Sequence, residues 1–366
     1  MENSNATRER MAFAAISPIL ESNIVLPTET AVRGHDYVSW GEENNYPEYL
    51  LDLFKNVPTL HSIISGSVDY VVGDDVIGNW NPWEGKSMNS RGESARELVK
   101  KCAYNYFLYG GFALQIIRNG LGEVAEIYVL NTRFLRANKN CDVFYYSEKW
   151  CDRYVRSEKM IIYPSWMAGE KQDNCILFVK NANEQVYPSP LYAASVKACE
   201  IEKSIDEYHL NEINNGFAPS VMINFNNGRP TDDIKKEIEK SVQEKFAGKS
   251  NAGRIMLSWN ESLANRTTID QFSVQDYGAK YDALSAHSRQ QIFTAFRANP
   301  NLFGIPTDNL GFSQEEYQQA FKLYNRTQIQ PVQRLICDAF DKALGVEGSI
   351  TIKPFTLERI GEKNIQ

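Results

Sequence analysis

The chain has 366 residues, of which 43% are hydrophobic and 23% are charged, and these proportions are ordinary for a folded protein. Its formal net charge is −7 with only 39 lysines and arginines, so it lacks the basic excess that sequence-specific DNA-binding proteins use against phosphates. No run reaches the roughly 18 apolar residues of a membrane-spanning helix, and the N-terminal apolar run is too short for a secretory signal. We therefore expect a soluble, intracellular protein with no membrane partner.

Motifs for metal binding and catalysis are missing from the sequence. The six cysteines form no Cys-x-x-Cys pair, and the four histidines are isolated, so we expect free thiols in a reducing compartment and no metal. Gly248-Lys249-Ser250 looks like the end of a phosphate-binding loop, but that loop needs a glycine where Gln243 stands. We predict no catalytic residue and no cofactor.

The first half of the chain predicts a mixed α+β domain. After a turn-rich stretch from Trp40 to Pro47, two short helices are expected before Gly73, and a third over about residues 92–109. Two β-rich runs around Gly120-Leu121-Gly122 predict a hairpin. Further strands are predicted at Val143–Tyr146, Met160–Tyr163 and Cys175–Val179, with a boundary near Tyr187-Pro188.

The second half predicts two long helices on either side of a small α/β insertion. The first helix is expected to begin at Ser189-Pro190, as N-cap and first helical residue, and to run about 40 Å to Gly216. The second is expected from about Asp276 to Arg297. The segment between them predicts a strand at SVMINF and then a helix from near Thr231 to before Gly248. Two further strands are predicted at Arg254–Trp259 and Thr268–Val274.

The C-terminal part predicts a loop, one more long helix and a final strand. ANPNLFGIPTDNLG is rich in glycine and proline and predicts a loop. Ser313 and Glu316 have capping-box spacing for a helix that continues to Gly345. Pro331 should kink this helix, because its ring crowds the carbonyl of Thr327. GSITIKPFTLERIG offers the strand.

Five segments in this order give the chain a resemblance to the portal proteins of tailed double-stranded DNA bacteriophages. YPSPLYAASVKA is similar to the opening of the family's first stem helix, and NEINNGFAPSVMINF to its exit into a strand. NAGRIMLSW, SVQDYGAKYDALSAHSRQQIFTAFRANPNLFG and GFSQEEYQQAFKLYNRTQIQP resemble the segments that follow. The chain departs from the family at Ala298-Asn299-Pro300, where Val-Pro-Pro is more usual, and it ends soon after the last helix.

The resemblance implies an elongated subunit with a mixed α/β wing, two long stem helices, a small α/β clip and a long kinked C-terminal helix. The implied segments are the wing at 1–188, stem helices at 189–216 and 276–297, the clip at 217–275, a tunnel loop at 298–312, and a C-terminal wing at 313–366 with a crown that is short or absent. A ring of such subunits, expected as a dodecamer, would surround an axial channel.

The resemblance also implies where functional residues lie. In the tunnel loop, four side chains are expected to contact phosphates and three to pack between neighbouring subunits: Arg297, Asn299, Asn301 and Asn309, and Leu302, Phe303 and Ile305. Packing of the loop alone is the alternative. The clip lysines expected to dock partners are Lys235, Lys236, Lys240 and Lys245, although a solvated helix would carry the same charges.

The first stem helix is expected to line the channel with Lys197, Glu200, Lys203 and Glu207. Over residues 190–216, five acids outnumber two lysines, which gives −3 per subunit. Such a wall would repel DNA rather than bind it, as a channel requires, because every phosphate contact adds affinity. A solvated helix face would show the same composition.

The function that the resemblance implies is a passive, non-enzymatic channel at the portal vertex of the virion, assembled in the host cytoplasm, through which double-stranded DNA is packaged and ejected. The implied partners are further copies of the chain, the terminase large subunit, the head–tail adaptor, and the major capsid and scaffold proteins. The alternatives are another connector or adaptor ring and, more distantly, a nuclease that holds magnesium with Asp270, Asp276 and Glu261.

Overall fold

The computed structural model describes residues 29–32, 36–79, 87–150, 160–166, 172–181, 186–215, 221–225, 231, 233–234, 236, 255–259, 277–304 and 314–356. These residues form helices and strands in the mixed α+β arrangement predicted from the sequence, so the fold class is confirmed.

Two prolines set the start of the first two helices. A short antiparallel pair, β1 (Glu29–Ala31) and β2 (Val38–Trp40), comes before α1 (Tyr46–Asn56) and α2 (Pro58–Val72). Both helices carry proline in their first turn, where its missing N–H costs nothing. The stretch predicted as turn-rich up to Pro47 therefore already contains the first residues of α1.

The predicted third helix and the strands around it are confirmed. Helix α3 (Ala95–Tyr109) begins with a capping box between Ser94 and Glu97 and ends at Gly110, which has a φ of 88°. Three strands follow in the sheet order β5-β4-β9, all antiparallel: β4 (Gly111–Arg118), β5 (Val124–Leu130) and β9 (Asn174–Lys180). A second antiparallel sheet contains β6 (Leu135–Ala137), β7 (Val143–Tyr146) and β8 (Ile161–Pro164).

The first long helix starts later than predicted. Residues 193–195 form a 3₁₀ turn, and α4 extends over Val196–Asn215, about 30 Å at 1.5 Å per residue rather than 40 Å. Ser189 and Pro190 are not helical because they lie against the backbone of Gly110: a Cβ placed on that glycine would be 2.6 Å from the Ser189 carbonyl carbon. The N-cap prediction at Ser189-Pro190 is therefore wrong.

The insertion contains two strands in the part of the chain that the structure describes, β10 (Val221–Phe225) and β11 (Ile255–Trp259), paired in parallel. Both were predicted, as was the helix that follows, α5 (Tyr277–Phe296). Helical geometry at residues 233, 234 and 236 agrees with the helix predicted from near Thr231. The remainder of that helix and the strand Thr268–Val274 lie outside the described residues.

The predicted C-terminal helix is interrupted near its middle by a π-helical turn. Helix α6 (Gln314–Tyr324) is followed by π-helical residues Asn325–Ile329 and then by α7 (Gln330–Leu344), which ends at Gly345 in the left-handed conformation. Pro331 lies in the first turn of α7. The sequence predicted a kink here from Pro331, and the structure has a π-helical turn directly before the helical turn that contains this proline.

The final strand closes the fold. β12 (Ile350–Lys353) pairs antiparallel with β3 (Asp75–Gly78), which follows α2, so the C-terminal segment is joined to the N-terminal half. One hydrophobic core extends from β2 to β12 and includes the first turns of α4 and the last turns of α5. The other ends of these two helices lie outside that core, with Leu210 and Leu284 exposed.

Candidate functional site

Helices α4 and α5 lie side by side in opposite directions. The rings of Tyr192 and Phe296 stack with their centroids 5.3 Å apart, and those of Tyr208 and Tyr281 are 4.9 Å apart at the other end of the pair. Tyr192 is fully buried and its hydroxyl donates to the Leu108 carbonyl at 2.9 Å. One end of the helix pair is therefore fixed in the core by aromatic packing.

The charged residues predicted along α4 differ in their surroundings. Lys197 is exposed. Lys203 is half-buried, with its ammonium 2.6 Å from Asp52 on α1 and 3.9 Å from Glu207, and the Asp52 carboxylate raises the pKa of this lysine. Lys203 thus attaches α4 to α1, while Glu207 is largely exposed.

Glu200 lies half-buried beside the hydroxyl of Tyr49 on α1. Burial, and then the neighbouring Glu200 carboxylate, raise the pKa of this tyrosine. Two of the four residues predicted to line a channel, Glu200 and Lys203, therefore face α1 within the same subunit.

Glu202 was counted among the charges on the wet face of α4, and the structure corrects this. Its side chain is buried, with 6% of the residue exposed, and Oε1 accepts a 2.8 Å hydrogen bond from the Thr59 hydroxyl at the start of α2. Burial raises the pKa of the Glu202 carboxyl. Oε2, and the hydroxyl of buried Ser288 on α5, have no hydrogen-bond partner among the described residues. Glu202 is therefore not part of the exposed charge of α4.

Replacing Glu202 with glutamine should stabilise the fold, and more so at high pH. A carboxyl whose pKa is raised by folding contributes stability at pH values below its unfolded pKa, and this contribution is lost as the pH rises through its folded pKa. Glutamine does not titrate and keeps an oxygen that accepts from Thr59. We expect the free energy of unfolding of Glu202→Gln, minus that of the wild type, to increase between pH 5 and pH 8 in parallel urea titrations. A difference that falls over this range would contradict the burial of an ionisable Glu202.

The segment that follows α5 is an ordered turn. Arg297 is exposed and has a φ of 51°, and the amide of Ala298 donates to the Phe293 carbonyl at 3.0 Å, which closes the helix. Asn299 caps the 3₁₀ helix Pro300–Phe303, because its side-chain oxygen accepts from the amide of Asn301 at 3.1 Å. Residues 298–303 of the predicted loop therefore form an ordered helix end followed by a short 3₁₀ helix.

Leu302 and Phe303 pack inside their own subunit, which corrects the prediction that they pack between subunits. Both are buried, and the Phe303 ring lies 5.5 Å from that of Tyr324. The Tyr70 hydroxyl donates to the Leu302 carbonyl at 3.0 Å, and the Ser62 hydroxyl donates to that of Phe303 at 2.9 Å. These two apolar side chains are therefore part of the subunit core. The other two loop residues, Ile305 and Asn309, lie outside the described residues.

The remaining site predictions concern the insertion. Lys236, one of the predicted docking residues, is exposed and has helical geometry. Lys235, Lys240 and Lys245 lie outside the described residues, as do Asp270, Asp276 and Glu261 of the nuclease alternative. Where the structure describes the chain, it shows no group of three or more histidine, cysteine or acidic side chains placed to hold a metal ion, and no helix long and apolar enough to cross a membrane.

Comparison with known proteins places these elements in a family. The sequence model described as "Phage portal protein" matches residues 88–358. A "Probable portal protein" of Haemophilus phage HP1 is 22% identical over 356 residues, which are 96% of this chain and 97% of that relative.

Two solved structures share the fold. The neck of a native gene transfer agent particle, computed with C12 symmetry, contains a chain that aligns with a TM-score of 0.54 and 17% identity over 84% of each chain. The neck of an empty particle, computed with C6 symmetry, gives a TM-score of 0.55 and 17% identity over 86% of this chain and 85% of that one. Since the family match extends over well over half of the 366 residues, this chain belongs to the phage portal protein family.

Proposed function

We propose that the chain forms a ring-shaped channel at the portal vertex of a phage capsid, through which double-stranded DNA is packaged and later ejected. Membership of the portal family supports this role, and the particle necks that share the fold were solved with rotational symmetry. The protein acts without covalent chemistry of its own, and the packaging energy comes from the terminase large subunit.

The antiparallel pair of α4 and α5 is the observation that carries the proposal. Its core end is fixed by Tyr192 and Phe296, and its other end carries β10 and β11 between the two helices. A pair of this kind repeated around an axis gives a wall of parallel rods. We assign α4 and α5 to the stem, residues 217–275 to the clip, residues 1–188 with 313–366 to the wing, and residues 298–312 to the tunnel segment.

DNA must pass such a wall without being held there. Each phosphate contact releases counterions and adds affinity that a motor would have to overcome. The ion pair of Lys203 with Asp52 removes one cation from the DNA-facing surface, and Glu207 remains exposed. The channel face of α4 therefore offers few free positive charges, with Lys197 as the exposed exception.

Contacts with DNA and with protein partners are assigned to different segments of the chain. We assign phosphate contacts at the tunnel segment to Arg297, which is exposed, and also to Asn299, Asn301 and Asn309. The clip lysines, including exposed Lys236, dock the terminase large subunit and later the head–tail adaptor. The wing contacts the major capsid and scaffold proteins. The assembled ring resides in the virion and forms in the host cytoplasm.

Ring formation is the first test of this function. Twelve subunits of 41.7 kDa would give a particle of about 500 kDa, measurable by light scattering after size-exclusion chromatography. We expect electron micrographs of the purified full chain to show rings with an axial hole. A protein that remains a monomer or dimer at all concentrations would overturn the proposal.

Two further assays on the same purified protein would distinguish the proposed channel from a nuclease and from an adaptor ring. Magnesium-dependent DNA cleavage that disappears in Asp270→Ala or Asp276→Ala would indicate a nuclease. Rings that bind assembled heads only after DNA has been packaged would indicate an adaptor, since a portal is present when packaging begins.

A further inference from the structure

Between residues 317 and 337, the exposed face of the C-terminal helix carries positive charge without acidic residues. From residue 317 to residue 337 the chain contains three basic residues, Lys322, Arg326 and Arg334, and no aspartate or glutamate. All three are exposed, and none forms an ion pair with any residue that the structure describes. This acid-free stretch contrasts with a chain whose net charge is −7. We call these three residues the basic stripe.

The opposite face of the same helix is anchored in the core. Phe321, Tyr324, Ile329, Val332 and Ile336 are all buried there. The buried side chain of Gln333 also donates to the Val71 carbonyl on α2 at 3.0 Å. The backbone beneath the basic stripe is therefore held in place, and the three basic side chains extend from a fixed surface.

The π-helical turn brings the three basic residues into line. Successive residues of an α-helix are about 100° apart, so Arg334 would lie about 80° from Arg326 in a regular helix. The π turn at Asn325–Ile329 takes one more residue per hydrogen-bonded turn, which moves later residues back by about 100° and leaves about 20° between these arginines. Lys322 is four residues before Arg326 and is its neighbour on the surface.

We propose that the basic stripe binds the phosphate backbone of double-stranded DNA without sequence preference. The inference rests on the proposed function, which brings duplex DNA past the subunit, and it adds a DNA-contacting surface to the C-terminal helix. A polyanion fits the stripe because three cations lie on one ridge with no acid among them to compete. The side-chain amide of the exposed neutral neighbour Gln319 can also donate hydrogen bonds to phosphate oxygens without reading bases.

The stripe and the stem would then have opposite tasks. Helix α4 of the stem offers few free cations, so DNA slides past it, while the stripe holds DNA weakly against the C-terminal helix. Arginine and lysine contacts of this kind are sensitive to salt, so binding is reversible at physiological ionic strength. Repetition around a ring multiplies a weak contact without any need for tight binding at one subunit.

The experiment compares two triple variants of the full chain as assembled rings. One replaces the stripe, Lys322→Gln with Arg326→Gln and Arg334→Gln. The matched control removes three other exposed lysines that form no ion pair within the described residues, Lys55→Gln with Lys139→Gln and Lys149→Gln. Binding of a labelled random-sequence DNA duplex is followed by fluorescence anisotropy over a series of salt concentrations.

We expect the stripe variant to reduce the slope of log affinity against log salt by about 3, one for each lost phosphate contact, while the control reduces it by less than 1. Equal slopes in the two variants would overturn the proposal. So would a stripe variant that binds DNA like the wild type but no longer enters capsids, because the stripe would then contact protein. Electron microscopy shows whether each variant forms rings, so failure of the channel itself is seen separately. If the triple variant does not assemble, Arg326→Gln alone should reduce the slope by about 1.

Discussion

Replacement of Phe303 with alanine will lower the free energy of unfolding of the subunit by about 3–5 kcal/mol, the cost of emptying a buried phenylalanine site. The ring of Phe303 lies within 6.3 Å of the ring centroids of Tyr70, Phe293 and Tyr324. These neighbours belong to α2, α5 and α6, so the cavity would open where three helices meet. Urea unfolding followed by tryptophan fluorescence measures the loss.

The concentration dependence of this effect separates packing within a subunit from packing between subunits. If Phe303 belongs to the core, the loss of stability persists in dilute solutions where subunits are single. If Phe303 packs against a neighbour, the variant would form weaker rings but its monomer would unfold like the wild type. Leu323→Ala is the control, because Leu323 is a large apolar residue of α6 that is 66% exposed, and its replacement should change stability by less than about 0.5 kcal/mol.

Local patterns in the sequence predicted most of the elements. The hairpin at Gly120-Leu121-Gly122 and the stop of α3 at Gly110 depend on neighbouring residues alone, and both are confirmed. The long helices α4 and α5 were predicted near their observed positions, and Pro331 predicted a kink close to the π-helical turn of the last helix. Such features could be predicted because short-range sterics and capping determine them.

The errors occur where distant parts of the chain meet. A glycine- and proline-rich segment predicted a loop, yet Leu302 and Phe303 are buried because α2 and α6 supply an apolar site for them. Glu202 was assigned to the wet face of a helix, and only the position of Thr59, 143 residues earlier, shows that it is buried. Periodicity alone does not reveal which polar residue of a helix faces a neighbouring helix start.

Arg136 was missed entirely and illustrates the same limit. Its side chain is 1% exposed, and its guanidinium lies 5.7 Å and 5.0 Å from the ring centroids of Trp40 and Trp150. It also donates to the Asn44 carbonyl at 2.7 Å. A single arginine in a short strand carries no sequence signal of burial, because its partners come from elements far apart in the chain.

The junction between the α+β domain and the first long helix depends on Gly110. This residue ends α3 with a φ of 88°, and an added Cβ would lie at 3.0 Å or less from three backbone atoms of Ser189 and Pro190. The Asn181 side chain donates to the Ser189 carbonyl as well, and the Asn181 amide donates to the Gly110 carbonyl at 3.1 Å. The segment that leads into α4 therefore has little freedom to move away.

Gly110→Ala should consequently destabilise the subunit by about 3–5 kcal/mol. About 1–2 kcal/mol arises from placing a Cβ in the left-handed conformation, and the remainder from pushing a backbone segment out of place. Gly345→Ala is a matched control, because Gly345 also ends a 15-residue helix, with a φ of 70°, but an added Cβ there meets no atom within 4 Å. The control should lose only the 1–2 kcal/mol of the left-handed conformation. Equal losses in the two variants, measured by urea unfolding, would show that the close approach of Ser189 to Gly110 does not constrain the segment that leads into α4. A larger loss at Gly110, together with fewer rings in electron micrographs, would show that this contact holds the helix pair in the orientation that ring assembly needs.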